Sequence, residues 1–269
     1  MHVVGKLGET PADPGPFAEH AEGLTRRPLF DRAKGTVHHA VVHSELAGGR
    51  VDRHVHAFEE GIYVLSGSLA VEVAGAREEL GPDDYLWIAF GVPHALSGTA
   101  AWIEVTAPLP GSSLYDTAFT DVAGATAEPP YRRGHFDVSD LPEPSGAILA
   151  GAGANVGGAS VKLLINPDFG ASQLILMTLR YVPGGAIKEH DHAFEEGFFF
   201  LEGEIEAELD GERYTLGPGD YCWSSVQGMH ALTNSSDAPV RWLETQAPQP
   251  PPRHQFRYRG DWEALVAGR

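Results

Sequence analysis

Two groups of histidine and glutamate residues in this chain share the spacing of metal ligands. Each group has the pattern His-x-His-x3-Glu, followed by one further histidine downstream. The first group is His54, His56, Glu60 and His94, and the second is His190, His192, Glu196 and His230. Three imidazoles with one carboxylate suit a divalent first-row transition metal. We therefore predict one such ion per group, manganese or iron first, with nickel and cobalt as alternatives.

For these side chains to converge, their positions must lie on β-strands. Residues i and i+2 of a strand point to the same face, so each His-x-His pair can present two imidazoles to one interior. The alternative interpretation is that these are core histidines that bind no metal. The presence of two complete groups argues against it, because so many inward imidazoles and carboxylates would carry a heavy desolvation cost without a metal.

The two groups belong to an internal repeat, which indicates how the chain is organised. Glycines, an Asp-Tyr pair and a tryptophan recur at the same offset as the histidines. The matching pairs are Gly48 and Gly184, Gly67 and Gly203, Gly81 and Gly217, Asp84 and Asp220, and Trp87 and Trp223. Trp102 and Glu104 recur as Trp242 and Glu244 at a slightly larger offset. The polar stretch 234–239 is therefore predicted to be a longer turn in the second copy.

Each copy consists of short apolar segments separated by turn residues, which is typical of an all-β fold. Alternating strands of this kind close into an antiparallel barrel, so we predict two tandem barrels. The predicted boundaries are an N-terminal arm at 1–34, a first barrel at 35–110, a linker or crossover at 111–146, a second barrel at 147–250 and a C-terminal tail at 251–269.

The composition excludes several classes of partner. Against 37 acidic residues stand 19 lysines and arginines, for a net charge of −18. Nucleic acids and anionic membranes are bound through clustered Lys and Arg, so neither is expected as a partner. Neither a signal peptide nor a transmembrane helix is predicted, and the single cysteine, Cys222, cannot form an internal disulfide. We expect a cytoplasmic protein with a small-molecule substrate.

The second copy carries further polar side chains that could take part in a reaction. Gln227 and Gln246 stand where the first copy has Gly91 and Thr106, so we predict that they bind substrate; alternatively, both lie on the solvent face. Trp223 could stack on a substrate, although core packing is the simpler role.

Two further residues of the second copy have more than one interpretation. Glu244 is the candidate catalytic proton carrier, and both it and Glu104 could face either the barrel or solvent. Cys222 aligns with Leu86 of the first copy and is predicted to be a buried, inert thiol.

These motifs resemble those of the cupins. Gly48, His54, His56, Glu60 and Gly67 match the family pattern G-x5-H-x-H-x3-4-E-x6-G, and Gly81, Asp84 and His94 match its second motif. The second copy repeats both motifs, so the sequence resembles a bicupin. This resemblance implies two tandem double-stranded β-helix (jelly-roll) barrels, with the metal ligands at the two groups above. It also implies a homo-oligomer.

A narrower likeness covers most of the chain. The segments 163–170 and 182–185, with Gly219, Asp220 and Tyr221, resemble the S-ureidoglycine aminohydrolases, bicupins that release ammonia from a small purine-derived metabolite. This resemblance implies hydrolysis of a carbon–nitrogen bond and a manganese site in the second barrel. That family uses Glu, His, His and Gln as ligands, whereas the aligned residues here are His190, His192, Glu196 and His230.

Three functions follow as hypotheses. We expect a metal-dependent hydrolase of a small polar metabolite, because the narrower resemblance covers most of the chain. The first alternative is an iron- or nickel-dependent dioxygenase or isomerase, for which three histidines and one glutamate are the ordinary cupin ligands. The second alternative is a cupin that binds a small molecule without converting it.

Overall fold

The computed structural model describes residues 1–111, 116–120, 128–145, 155–249 and 257–267; for Asp261, Trp262 and Leu265 it describes the backbone alone. The chain divides into two compact units. The first, here called the first barrel, contains Glu9–Asp137 and Leu164–Leu176. The second barrel contains Met1–Gly8, Val138–Leu163 and Met177–Arg269. Strands dominate the described residues, as the sequence predicts.

The first barrel is an antiparallel sheet whose longest strands carry the first histidine group. Its strands are β2 (Ala21–Phe30), β3 (Ala40–His56), β4 (Glu59–Val73), β5 (Ala76–Leu80), β6 (Asp84–Ile88), β7 (His94–Ala107), β8 (Thr117–Phe119) and β9 (Tyr131–His135). They are ordered β2-β3-β7-β4-β6-β9, with β5 paired to β4 and β8 paired to β3.

The second barrel repeats this arrangement. Its strands are β1 (His2–Lys6), β10 (Val156–Ile165), β11 (Ile175–Asp191), β12 (Glu195–Glu202), β13 (Ile205–Leu209), β14 (Glu212–Leu216), β15 (Asp220–Ser224), β16 (His230–Thr233), β17 (Val240–Ala247) and β18 (Arg257–Tyr258). Helix α1 (Arg259–Ala267) follows β18. The turn between β16 and β17 covers 234–239, whereas β7 of the first barrel runs on without a break. This is the longer turn predicted from the change of offset.

The strand register explains why the histidines converge. In the first barrel His54 of β3 lies directly opposite His94 of β7, just after a register shift that follows Val51. In the second barrel His190 of β11 lies opposite His230 of β16, after a shift that follows Ile187. Residues directly opposite each other in an antiparallel pair share one face of the sheet. The same irregularity therefore aims the histidines inward in both barrels.

Two repeated glycines are required by close backbone approach. Gly67 has a φ of +80°, and a Cβ there would lie 2.1 Å from the carbonyl oxygen of Thr99. Gly203 has a φ of +72°, and a Cβ there would lie 2.4 Å from the carbonyl oxygen of Pro239. A side chain at either position would both strain the backbone and collide with the neighbouring strand.

Large aromatic side chains fill the interior of each barrel at repeated positions. Trp102 and Trp242 are each 0% exposed, and each stands on the strand that also carries the late glutamate of its barrel. In the second barrel Trp242 packs edge-on against Tyr181, with ring centres 4.8 Å apart. Burial of these rings contributes much of the hydrophobic stabilisation of each core.

The compact units differ from the boundaries predicted by sequence. The predicted arm at 1–34 contains β1, which pairs with β15 of the second barrel, and β2, which pairs with β3 of the first. The predicted linker at 111–146 contributes β8 and β9 to the first barrel. Strands β1, β8 and β9 have too few residues to show a hydrophobic period, so their pairing depends on the edges that the barrels expose.

The helices are short in the described part of the chain. The 3-10 helices comprise three residues each, and α1 comprises nine. No helix among the described residues is long and apolar enough to cross a membrane.

Candidate metal centres

The first barrel brings three of its four predicted ligands into one cluster. His54, His56 and His94 each offer a nitrogen within 4.8 Å of the others, and all three are buried. Glu60 Oε2 lies 3.0 Å from His94 Nε2 and 3.6 Å from His56 Nε2. Glu60 therefore borders the cluster, within reach of two of its imidazoles.

The second barrel brings all four predicted ligands together. His190, His192, Glu196 and His230 form one buried group with donor atoms within 4.8 Å of one another. Glu196 Oε2 lies 3.0 Å from both His192 Nε2 and His230 Nε2. The carboxylate thus stands between two imidazoles, on the side that a shared cation would occupy.

Hydrogen bonds at Nδ1 orient the imidazole rings in both barrels. In the second barrel His190, His192 and His230 each place Nδ1 2.8 to 3.0 Å from a backbone carbonyl oxygen. In the first barrel His54 and His94 do the same at 2.7 and 3.0 Å. A carbonyl oxygen only accepts, so each Nδ1 carries a proton, and Nε2 is the nitrogen that can present a lone pair to a metal. His56 Nδ1 instead lies 2.9 Å from the hydroxyl of Thr117.

These orientations fit a metal ion in each barrel. Imidazole lone pairs facing a carboxylate need a positive charge between them, supplied by either a proton or a metal. Among the described residues, His56 Nε2 is buried without a hydrogen-bond partner, and Glu60 Oε2 and His94 Nε2, which lie 3.0 Å apart, form no hydrogen bond of normal geometry. The donor set of nitrogen and carboxylate oxygen is the kind that binds divalent first-row transition metals. The residues present therefore fit one such ion per barrel.

Burial keeps several of these imidazoles neutral, the form that a metal requires. Desolvation lowers the pKa of His54, His56 and His190 well below its ordinary value, and neighbouring histidines lower it further. Burial also acts to lower the pKa of His94 and His230. In those two, however, Glu60 and Glu196 outweigh burial and raise the pKa.

Both late glutamates face the barrel interior, which settles an alternative that the sequence left open. Glu104 is 4% exposed and Glu244 is 6% exposed. Glu244 accepts hydrogen bonds from Trp242 Nε1 at 3.1 Å and from Gln246 Nε2 at 3.2 Å. Burial, together with the charge of Glu196, raises the pKa of Glu244 well above its ordinary value.

The predicted substrate-binding residues lie in different surroundings. Gln246 is buried, and its Nε2 donates to Glu196 Oε1 at 2.7 Å, so its amide orients a candidate ligand. Gln227 is exposed and lines a groove of about 710 Å³ that also includes Asp191, which lies between His190 and His192. Trp223 is 0% exposed in the core, a position that suits packing rather than stacking on a substrate.

One charged residue beside the first cluster escaped the sequence-based reasoning. Arg26 of β2 donates from Nη2 to Glu104 Oε1, and its guanidinium carbon lies 4.4 Å from the centre of the Phe17 ring. The guanidinium also lowers the pKa of His54 and His56, although less than burial does. Arg26 lies in the segment predicted to be an arm and has no sequence motif around it, so only the strand pairing places it here.

The remaining reactive side chains belong to the structure rather than to a site. Cys222 is fully buried, and burial raises the pKa of its thiol well above its ordinary value, in agreement with the prediction of an inert thiol. His39 and His43 are buried outside the two groups, and His135 lies 2.9 Å from Asp84. His254 lies outside the described residues.

Comparison with known families explains this paired arrangement. The cupin domain model matches the chain twice, at residues 42–105 and 177–245. Each match ends shortly after the late glutamate of its barrel. The chain contains two cupin domains. It is a bicupin, with one histidine group inside each domain.

Known proteins with related sequence or structure are enzymes of different classes. A curated relative, quercetin 2,3-dioxygenase of Bacillus subtilis (strain 168), is 23% identical over 226 residues, which is 69% of this chain and 67% of the relative. Oxalate decarboxylase of Bacillus subtilis superposes with a TM-score of 0.66 at 15% identity, covering all of this chain and 82% of that one. That decarboxylase has Mn(II) centres.

A third similar structure is a protein from Pseudomonas aeruginosa described as glyoxylate-induced. It superposes with a TM-score of 0.69 at 16% identity and covers 91% of this chain and 87% of its own. At such identities the structures show a shared fold and no more. The comparisons support the bicupin prediction and do not show the narrower resemblance to the S-ureidoglycine aminohydrolases.

Proposed function

We propose that this bicupin is a metal-dependent enzyme that converts a small polar metabolite. The observation that carries the proposal is the common orientation of the imidazoles, whose protonated Nδ1 atoms leave the Nε2 lone pairs aimed at one carboxylate in each barrel. A bound divalent ion would supply Lewis acidity and a place for a substrate oxygen or nitrogen to bind. The assignment of the two histidine groups as ligands is part of this proposal.

The second barrel is the proposed site of the reaction. Its four donors form a complete group, and the groove lined by Gln227 and Asp191 opens beside β11, which carries His190 and ends just before His192. The Gln227 side chain would bind a polar group of the substrate in this groove. The corresponding position of the first copy is Gly91, which offers no such side chain.

The proposed reaction is hydrolysis of a carbon–nitrogen bond, the reaction of the S-ureidoglycine aminohydrolases that the sequence resembles. Such a reaction requires a group that holds a proton and passes it to the leaving amine. The Glu244 carboxyl is in the right place for this role, since Gln246 connects it to Glu196. Gln246 holds both carboxylates in position, and burial favours the protonated form of Glu244 that this role requires.

Dioxygenation is the second candidate reaction. It is favoured by the likeness to quercetin 2,3-dioxygenase, which covers 69% of this chain. This reaction would use the same metal ligands but consume oxygen.

Homo-oligomer formation and a cytoplasmic location stay predictions.

The test is to assay the metal-loaded protein on small ureido and amino acids, S-ureidoglycine among them, and on hydroxylated aromatic compounds. Ammonia release that continues without oxygen would support hydrolysis, whereas turnover that requires oxygen would support dioxygenation. Glu244→Gln should abolish turnover without loss of metal. Glu206→Gln, on an exposed glutamate of β13, serves as the control and should retain turnover. Absence of turnover on the whole panel with full metal content would contradict the proposed activity.

A further inference from the structure

Arg26 holds a positive charge close to the histidine cluster of the first barrel. Its strand, β2, pairs with β3 so that Arg26 lies opposite Ser44. The guanidinium rests on the ring of Phe17, and that ring in turn contacts His54 edge-on, with centres 5.3 Å apart. The ring of Phe17 also lies 6.4 Å from that of His56. A single aromatic ring thus links the guanidinium to two imidazoles of the cluster.

The ion pair with Glu104 occupies only part of the guanidinium. The bond to Glu104 uses Nη2, and the structure gives Nε and Nη1 of Arg26 no partner among the described residues. The Arg26 side chain keeps 11% of its surface exposed, so the residue is not sealed from solvent. A guanidinium presents its N–H groups as a planar fork that matches the two oxygens of a carboxylate.

The second barrel shows that a buried glutamate at this position does not require an arginine. Glu244, the counterpart of Glu104, is bonded by Trp242 and Gln246 and pairs with no cation among the described residues. The two barrels therefore accommodate this glutamate differently: Arg26 acts against burial to lower the pKa of Glu104, whereas burial raises the pKa of Glu244 well above its ordinary value. The arginine is a feature that distinguishes the first barrel from the second.

The charges of the first site also leave room for one anion. A divalent ion and Arg26 together outweigh the carboxylates of Glu60 and Glu104, which leaves a formal charge of about +1 on the site. The protein as a whole carries a net charge of −18, so the positive charge of this site contrasts with the negative charge of the chain. One small carboxylate would bring the site to neutrality.

We propose that the first barrel is a binding site for a small carboxylate, with Arg26 as the residue that recognises the anion beside the metal cluster. Glu104 and Phe17 hold the guanidinium in position for this role. The inference concerns the first barrel and goes beyond the reaction proposed for the second, so either one can fail without the other.

Acetate is the probe, and acetamide, which has the same shape without the charge, is its control. The full-length protein, with His190→Ala in every variant so that Mn(II) fills the first barrel alone, is loaded with Mn(II), and the EPR spectrum of the bound ion is recorded as each compound is added. We expect acetate to change the spectrum and acetamide to leave it unchanged. In Arg26→Gln the acetate concentration for half the effect should rise about tenfold or more, as expected for loss of a charged hydrogen-bonding partner. Arg26→Lys should lie between the two.

Two further variants separate anion binding from a structural role of the arginine. Arg27→Gln removes the neighbouring charge on the opposite face of β2, and its response to acetate should equal that of the wild type. Arg26→Gln combined with Glu104→Gln removes the ion pair without leaving a buried charge. This double variant should fold and bind metal, yet its acetate response should remain weak.

An acetate response of wild-type strength in the double variant would overturn the proposal and leave Arg26 as the partner of Glu104 alone. A first barrel that takes up no metal would overturn it as well. Neither result depends on turnover in the second barrel.

Discussion

Gln246 Nε2 donates a hydrogen bond of 2.7 Å to Glu196 Oε1, and the strand register places the two residues directly opposite each other. The same register position of the first barrel pairs Glu60 with Thr106. The second barrel therefore holds its carboxylate with an amide that the first barrel lacks. Glu60 correspondingly stands farther from His56 than Glu196 does from His192, at 3.6 Å against 3.0 Å.

Replacing this amide should weaken the second metal site. Because partners that orient a ligand typically contribute about 10- to 100-fold in metal affinity, Gln246→Leu should lower the affinity of the second barrel by that factor. Competition with a chromophoric chelator measures the change. Thr106→Val is the matched variant and should leave the affinity of the first barrel unchanged. Equal affinities in wild type and Gln246→Leu would show that the amide does not support the site.

The histidine groups could be predicted from sequence because two simple rules act on them. A strand places every second residue on one face, and a repeat in register duplicates whatever the first copy contains. The sequence does not determine whether Glu104 and Glu244 face the barrel or solvent, since a single glutamate on a strand shows no alternation of polar and apolar residues. Their burial follows from the neighbours that each strand acquires in the barrel.

The position of Arg26 and the hydrogen bonds of Gln246 could not be predicted from the sequence, for a physical reason. Arg26 reaches its site only through the pairing of β2 with β3, a long-range contact that local pattern does not encode. Gln246 was expected to bind substrate because a glutamine amide is a good donor. The structure shows that this amide donates to Glu196 and Glu244 instead.

The stability of the metal-free protein should fall as the pH drops from about 7.5 to about 5.5. The pKa values of His54, His56 and His190 are well below 6.5 in the folded state, so below pH 6.5 the unfolded chain binds protons that the native protein does not. The raised pKa values of His94, His230, Glu104 and Glu244 act in the opposite direction. Below pH 6.5 the three neutral histidines outweigh them, because His94 and His230 are then protonated in both states. Urea unfolding at several pH values measures the slope. Stability that is constant or rises towards pH 5.5 would contradict this assignment.

Gly67 should tolerate a side chain far less well than Gly75. Both have a positive φ, +80° and +82°, so Gly67→Ala and Gly75→Ala carry a similar backbone strain. At Gly67, however, a new Cβ would meet the carbonyl oxygen of Thr99 at 2.1 Å, whereas at Gly75 it would meet nothing within 4 Å. We expect Gly67→Ala to lower the free energy of unfolding by about 2 kcal/mol more than Gly75→Ala. Chemical denaturation of the two variants measures the difference, and equal losses would show that the strands separate easily at Thr99.

The central claim is that each cupin barrel holds one metal ion through its own histidine group. Elemental analysis of protein purified without added metal tests it most directly. The account predicts about two first-row transition ions per chain, and about one in each of His54→Ala and His190→Ala. About one ion per chain in the wild type, unchanged in His54→Ala and lost in His190→Ala, would contradict the claim for the first barrel. A wild-type protein without bound metal, and unable to take it up on addition, would contradict it for both.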